Sequence, residues 1–203
     1  HLSIRRQRQM CIRDRCLETI FYMLSGMVDT LMLSSVGDQA VGAVGTANTY
    51  IGVFIIMYSV VSMGMLAVMT QNIGAGRPGI ACQAKTLGLW FNGILGVVMS
   101  VFLFFCSDGI LYVVGIAPAL KEPAVQYLRI VGGGSILNAM IPILAGYLRA
   151  FGYTKQPLIA TVTGNILNFI LNAVFLFRFH LGVQGVASAT VISKAVSYTH
   201  LTL

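Results

Sequence analysis

The chain has 203 residues, of which 57% are hydrophobic and 9% are charged, and its mean hydropathy is +0.83. A soluble domain carries about 25% charged residues, so this chain has too few charges to cover a globule of its size. The net charge of +7 comes largely from five arginines within residues 1–15, and the remaining positive charges are scattered singly. The basic residues form no cluster that could contact the phosphate backbone of a nucleic acid, so we exclude a nucleic-acid-binding protein. The low charge content excludes a soluble domain, and we infer a polytopic membrane protein.

Uncharged runs predict six membrane spans, because a helix needs about 20 apolar residues to cross the hydrocarbon core of a bilayer. Each run is too long for a buried strand, and none alternates between apolar and polar residues, so we expect helices. The predicted fold is therefore all-α, a polytopic six-transmembrane-helix bundle. In chain order, the predicted spans are 17–36, 45–71, 86–107, 124–148, 157–178 and 183–203.

Alternate loops between these spans differ in charge. One side collects basic residues without an acid, and the other side carries both signs. The positive-inside rule predicts that the basic side is cytoplasmic, and with it the start of the first span and the end of the sixth. The basic side holds Arg77, Lys85, Arg149, Lys155 and Lys194, and the other side holds Asp38, Asp108, Lys121, Glu122, Arg129 and Arg178.

The two ends of the chain differ from its middle. Residues 1–15 are basic and aperiodic, and residues 197–203 end a predicted span without a loop. Both resemble translated adapter sequence at the edges of assembled metagenomic fragments, so we expect them to be foreign and 16–196 to be native. The alternative is a basic, disordered cytoplasmic arm and a genuine end of the sixth helix. On either interpretation, we expect a piece of a longer protein.

The sequence offers no residues for enzyme chemistry. Residues 74–79 match the G-x-G-x-x-G pattern of dinucleotide-binding proteins, but they follow a membrane span and contain Pro78. A dinucleotide fingerprint requires a strand before the glycines, so we interpret the match as a tight turn. The four cysteines form no C-x-x-C pair and no metal-ligand spacing with histidine. We therefore expect neither an enzyme nor a bound cofactor.

Asp29 is an acidic residue at the centre of the first predicted span. A charged side chain at the bilayer centre costs about 2.5–3.5 kcal/mol on insertion scales, so it normally has a partner or a function. Ser25 and Tyr22 precede it by about one and two turns on the same helical face. Either Asp29 lies at the membrane interface, or it is a protonatable or cation-binding carboxylate that faces a polar cavity. We favour the second interpretation.

A stripe of polar residues follows one face of the fifth predicted span. Thr161, Asn165, Asn168 and Asn172 are spaced by 4, 3 and 4 residues, which places them on one side of an α-helix. Such residues must face protein or water. They either form interhelical hydrogen bonds or, with Asp29, provide oxygen ligands for a hydrated ion.

Pro142 lies inside the fourth predicted span. Proline removes a backbone hydrogen bond to the carbonyl of Asn138, so we expect a kink at Pro142. Three consecutive glycines, 132–134, precede Pro142 in the same predicted span and weaken the helix there. Close helix packing is the common reason for such glycines, and a moving helix is the alternative.

Several segments resemble the multidrug and toxic compound extrusion (MATE) family of transporters, over about residues 17–196. Each segment is weak by itself, but together they are specific. The resemblance implies twelve membrane helices in two six-helix lobes, of which 16–196 is the N-terminal lobe and the C-terminal lobe is missing. The matching segments are 28–32, 36–37, 40–45, 70–76, 148–155, Pro157, 168–172, 182–187 and 189–190.

The resemblance also implies an activity and a site. Family members export cationic and amphipathic, drug-like compounds in exchange for sodium ions or protons, so we expect a multi-pass protein of a bacterial cytoplasmic membrane. Asp29 matches the first-helix aspartate of the N-lobe cation site, Asn168 its fifth-helix asparagine and Thr190 its sixth-helix threonine. Asn172 stands where some members have a second aspartate, which leaves the preferred ion open; Na⁺ would bind the oxygens of these four residues.

Two other functions are compatible with the sequence. One is a lipid-linked oligosaccharide flippase of the same superfamily, which requires a large cationic cavity. The other is a truncated membrane scaffold that transports nothing.

Overall fold

The computed structural model describes residues 16–202 except residues 18, 19, 22 and 25. These described residues are mostly helical and include no strand, which confirms the predicted all-α fold. The first helix, α1, is described at 16–17, 20–21, 23–24 and 26–34. The predicted foreign segment 1–15 lies outside the described residues. The helices that follow are α2 (Asp38–Gly74), α3 (Pro78–Val114), α4 (Pro118–Gly133), α5 (Ser135–Ala150), α6 (Lys155–Ala173), a π-helical turn (Val174–Arg178) and α7 (Gly182–Thr202).

The helices follow the order of the predicted spans. Within the described part of the chain, three helical segments are long and apolar enough to cross a membrane, namely α2, α3 and α6 with its π-helical turn. The pair α4 and α5 forms a fourth span if both are taken together, since they meet at a bend of 44°. Helices α1 and α7 lie where the first and sixth spans are predicted.

Prolines and glycines mark the ends of the helices. Pro78 and Pro118 stand in the first turns of α3 and α4, where the missing N–H would have no helical partner. Gly115 ends α3 with φ 71°, and Gly76 has φ 72° in the turn between α2 and α3, a backbone conformation that favours glycine. The glycine pattern at 74–79 is therefore a tight turn between two helices, as predicted.

The fourth span breaks at Gly134, which differs from the predicted kink at Pro142. Helix α5 is continuous through Pro142, and the 44° bend separates it from α4. At the break, the Leu137 N–H donates to the Gly134 carbonyl at 3.1 Å, and the hydroxyl of Ser100 donates to the Gly133 carbonyl. Glycine has a weak helix propensity, and the Ser100 hydroxyl of α3 replaces a helical hydrogen bond at the Gly133 carbonyl. The span therefore bends at this point.

Helices α3 and α5 approach each other closely at Gly96. A Cβ atom added at Gly96 would lie 2.9 Å from Ile136 Cα and 3.0 Å from Ala139 Cβ. Close by, the fully buried Asn92 donates from Nδ2 to the Ala139 carbonyl at 2.9 Å and to Ser62 Oγ at 3.3 Å. A small residue and a buried amide therefore join α3 to α5 and α2.

We expect Gly96→Ala to destabilise the lobe by about 1–3 kcal/mol, because the added methyl group meets backbone atoms that cannot turn away. Gly93→Ala on the same helix is the matched control, since a Cβ there has no atom within 4 Å. Thermal unfolding of the purified variants measures the difference. Equal unfolding temperatures for the two alanine variants would contradict the close approach of α3 and α5.

Two charged residues make side-chain contacts between helices. Lys85 Nζ lies 4.3 Å from the centroid of the Tyr147 ring, and Arg129 forms an ion pair with Asp108. Lys194 lies inside α7, within the span predicted at 183–203. The orientation in the membrane stays a prediction.

Candidate functional site

Asp29 of α1 accepts a hydrogen bond from α6. Asn172 Nδ2 donates to Asp29 Oδ1 at 2.7 Å, and the Asn172 side chain is fully buried. A hydrogen bond to an ionised group is stronger than one between neutral groups, about 1.5–3 kcal/mol. The acid of the first span and the polar stripe of the fifth span therefore form one site.

Asn168 lies one helical turn before Asn172 and is 5% exposed. With its amide nitrogen turned toward Asp29, Asn168 donates to Asp29 Oδ1 at 2.8 Å. An ionised carboxylate only accepts hydrogen bonds. Asn168 and Asn172 therefore both donate to the ionised Asp29 carboxylate.

Asn172 also carries an oxygen that is available as a ligand. Within the described residues, Asn172 Oδ1 is buried and accepts no hydrogen bond. Buried polar atoms are nearly always satisfied, so an exception requires an explanation. An amide oxygen beside a carboxylate suits a hard cation such as Na⁺. The donor set at Asp29 and Asn172 therefore fits a sodium ion as well as a proton.

A cavity of about 140 Å³ adjoins Asp29. Residues of four helices line it, and some of them, such as Gly45 and Asn48, are exposed, so the cavity opens to the surface of the described part of the chain. Since one water occupies about 30 Å³ of liquid, the space holds a few waters or a partly hydrated ion. Drug-sized ligands occupy pockets of about 300–1,000 Å³, so this cavity is too small for one. The lining residues are Gly26, Asp29, Thr30, Leu33, Val41, Val44, Gly45, Asn48, Tyr127 and Val186.

The remaining predicted residues have other contacts. Thr161 and Thr190 donate within their own helices, to the carbonyls of Pro157 and Val186, both at 2.9 Å. Asn165 Nδ2 donates to the Phe21 carbonyl at 3.1 Å, which joins α6 to α1. Ser25 and Tyr22 lie outside the described residues. The structure therefore brings Asn168 and Asn172 to Asp29, and the roles of Thr190, Thr161 and Asn165 in an ion site stay predictions.

Tyr127 was not predicted as part of this site. Tyr127 of α4 is 4% exposed and lines the cavity, but a tyrosine in a predicted span has no sequence signal that separates it from a packing residue.

Comparison with known proteins shows the family to which the chain belongs. A family model described as MatE matches residues 15–174. The chain is 33% identical over 184 residues to the uncharacterized transporter YisQ of Bacillus subtilis (strain 168), covering 89% of this chain and 40% of that protein. It is 29% identical over 193 residues to the probable multidrug resistance protein NorM of Thermotoga maritima, covering 91% and 41%.

The fold also has close structural neighbours. A MOP superfamily transporter from Pyrococcus furiosus Vc1 superposes with a TM-score of 0.89 at 23% identity, covering 97% of this chain and 43% of that chain. The chain thus spans about 40% of the length of the curated relatives it matches. The family match over most of the sequence confirms the resemblance seen in its motifs, and the chain belongs to the MatE family of transporters.

Proposed function

We propose that the full-length protein carrying this lobe is a cation-coupled antiporter. It exports cationic or amphipathic, drug-like molecules across the cytoplasmic membrane in exchange for sodium ions or protons. The observation that carries the proposal is the contact of Asn172 with Asp29, 2.7 Å long, between two helices inside the lobe. The similarity to a probable multidrug resistance protein supports the substrate class.

The exported molecule binds outside the Asp29 cavity. That cavity has a volume of about 140 Å³, which suits an ion and a few waters but not a drug-sized ligand. A surface shared with the C-terminal lobe is the place for the larger molecule. Ion and substrate therefore occupy different sites, and they act on each other through the helices.

The coupling step is a change in the charge of Asp29. An ion or proton that binds Asp29 neutralises the carboxylate and weakens the hydrogen bond from Asn172, which holds α1 against α6. A change in the packing of α1, α6 and α7 then favours release of the exported molecule. By linkage, the exported molecule lowers the affinity of Asp29 for the ion by the same factor.

The flippase alternative has less support. Recognition of a pyrophosphate requires several cationic side chains at one cavity. Among the described residues, the cavity beside Asp29 is lined by apolar, glycine, hydroxyl and amide residues with one acid, and by no lysine or arginine. The neutral-to-acidic lining supports a cation site instead.

The proposal predicts gradient-driven transport by the full-length protein. In everted vesicles, a fluorescent cationic dye should accumulate in the lumen when the lumen is rich in sodium ions or protons, because the dye moves inward as the ion leaves. Dye fluorescence measures the accumulation. Vesicles that contain residues 1–203 alone are the control, and we expect no accumulation in them. Gradient-independent accumulation by the full-length protein, or accumulation by the isolated lobe, would contradict the two-lobe antiporter.

A further inference from the structure

A second group of buried polar side chains lies where α2, α3 and α5 meet. The fully buried Asn92 of α3 donates from Nδ2 to two groups of α2, the Tyr58 carbonyl at 3.4 Å and Ser62 Oγ at 3.3 Å. The same nitrogen donates to the Ala139 carbonyl of α5 at 2.9 Å. The Asn92 amide therefore stands at the junction of the three helices. The described lining of the Asp29 cavity includes none of these residues.

Three polar atoms at this junction lack a partner among the described residues. They are Tyr58 Oη, Asn92 Oδ1 and Ser135 Oγ. Tyr58 and Ser135 are each 1% exposed, and Asn92 is fully buried. A buried polar atom without a partner costs free energy, and native proteins nearly always satisfy it. Three such atoms on three adjacent helices therefore need a partner that the described side chains do not supply.

The register of the helices brings Ser135 to the same junction. The Tyr58 and Ala139 carbonyls accept from one amide, and about two turns later a Cβ added at Gly146 would lie 3.8 Å from Leu66, so α2 and α5 run in the same direction. Long side chains of a helix lean toward its N-terminus. The Tyr58 ring therefore extends toward Ser135, one turn before Ala139. Their two hydroxyl groups act on each other without the geometry of a direct hydrogen bond.

We propose that Tyr58, Asn92 and Ser135 form an internal water site at the break of the fourth span. Bound water can donate to Asn92 Oδ1, which only accepts, and can accept from the hydroxyls of Tyr58 and Ser135. Buried waters make about three hydrogen bonds to groups that would otherwise be unsatisfied. Ser135 is the first residue of α5, directly after the bend at Gly134. Water thus completes the polar contacts of the span where its helix is interrupted.

The chemistry of the site favours water over a cation. The three side chains are a phenol, an amide and a hydroxyl, which are neutral, and a cation buried there without a counter-charge would keep most of the cost of leaving bulk water. The described residues include no group of three or more acidic, histidine or cysteine residues that could hold a metal ion. A water molecule carries no charge and both donates and accepts hydrogen bonds.

X-ray radiolytic footprinting of the full-length protein in lipid nanodiscs tests the water site. X-rays split bound water into hydroxyl radicals, which add oxygen to a side chain in contact with that water, and mass spectrometry measures the rate at each residue. Met69 is the reference, because it is fully buried in an apolar cluster and methionine is more reactive than tyrosine. We expect Tyr58 to be oxidised faster than Met69, although both side chains are buried.

Variants of two serines show whether the water lies at Ser135. Ser135→Val replaces the hydroxyl with methyl groups that occupy the space of the water, so the oxidation of Tyr58 should be lost. Ser59→Val is the matched control, because the Ser59 hydroxyl donates within its own helix, to the Ile55 carbonyl at 2.8 Å. It should keep the wild-type rate. Ser135→Ala, which removes the hydroxyl without adding volume, serves if Ser135→Val does not fold, and it should lower the rate.

Two outcomes would overturn the proposal. If Tyr58 is oxidised no faster than Met69, the junction is dry. If Tyr58 is oxidised equally in the Ser135 and Ser59 variants, the water does not lie at Ser135. The assay requires no transport and the site lies outside the Asp29 cavity, so either outcome leaves the proposed antiport as it stands.

Discussion

Asp29→Asn is expected to abolish ion-coupled efflux by the full-length protein while leaving its fold intact. Asparagine has nearly the same shape as aspartate and can still pair with Asn172, so the contact of α1 with α6 persists. It cannot take up a proton or neutralise a cation. The electrochemical driving force, about 2.3 kcal/mol per charge for each 100 mV, then no longer acts through this lobe.

Dye accumulation in everted vesicles measures the effect of Asp29→Asn, and we expect the signal of protein-free vesicles. Asp38→Asn is the matched control, because Asp38 is an exposed acid at the start of α2, away from the cavity lining. The control should accumulate dye like the wild type. Undiminished drug resistance in cells that express Asp29→Asn would show that Asp29 does not take part in the coupling step.

Asn172→Leu is expected to reduce coupled efflux by roughly 10- to 100-fold. The variant removes the 2.7 Å donor of Asp29, and a hydrogen bond to an ionised group contributes about 1.5–3 kcal/mol. The states of the transport cycle in which Asp29 is ionised are therefore less populated. The variant also removes Asn172 Oδ1, the buried oxygen that lacks a partner among the described residues.

Asn165→Leu on the same helix is the matched control for Asn172→Leu. Asn165 is partly buried and donates to the Phe21 carbonyl rather than to a charged group. We expect its rate of dye accumulation to stay within about twofold of the wild type, since a bond between neutral groups contributes about 0.5–1.5 kcal/mol. Equal losses in both leucine variants would show that polarity of α6, and not the contact with Asp29, supports transport.

The order of the helices was predictable because charges are costly in a bilayer. Runs without charge predict where the chain crosses the membrane, but they do not predict where a helix ends. The second span is predicted at 45–71, whereas α2 extends from Asp38 to Gly74, because a helix continues beyond the hydrocarbon until glycine or proline ends it. The bend lies at Gly134 instead of Pro142, since its position depends on Ser100 of a neighbouring helix.

The site was predictable in its parts but less so in its assembly. The 3.6-residue period of α-helices places Asn168 and Asn172 on one face, and the cost of a buried charge indicates Asp29. Their contact joins residues 143 positions apart. The polar stripe predicted an ion site with Asp29 as one of two alternatives, and the family resemblance favoured that alternative. Tyr127 reaches the cavity through packing of α4, for which the sequence has no signal.

The central claim is that Asp29 and the asparagines of α6 bind the coupling cation in competition with the exported molecule. The most direct test adds a cationic dye to the purified full-length protein in weakly buffered solution and measures the protons or sodium ions released. We predict release from the wild type and none from Asp29→Asn, although both proteins bind the dye. Equal release from the two proteins would contradict the claim, because the coupling cation would then bind elsewhere.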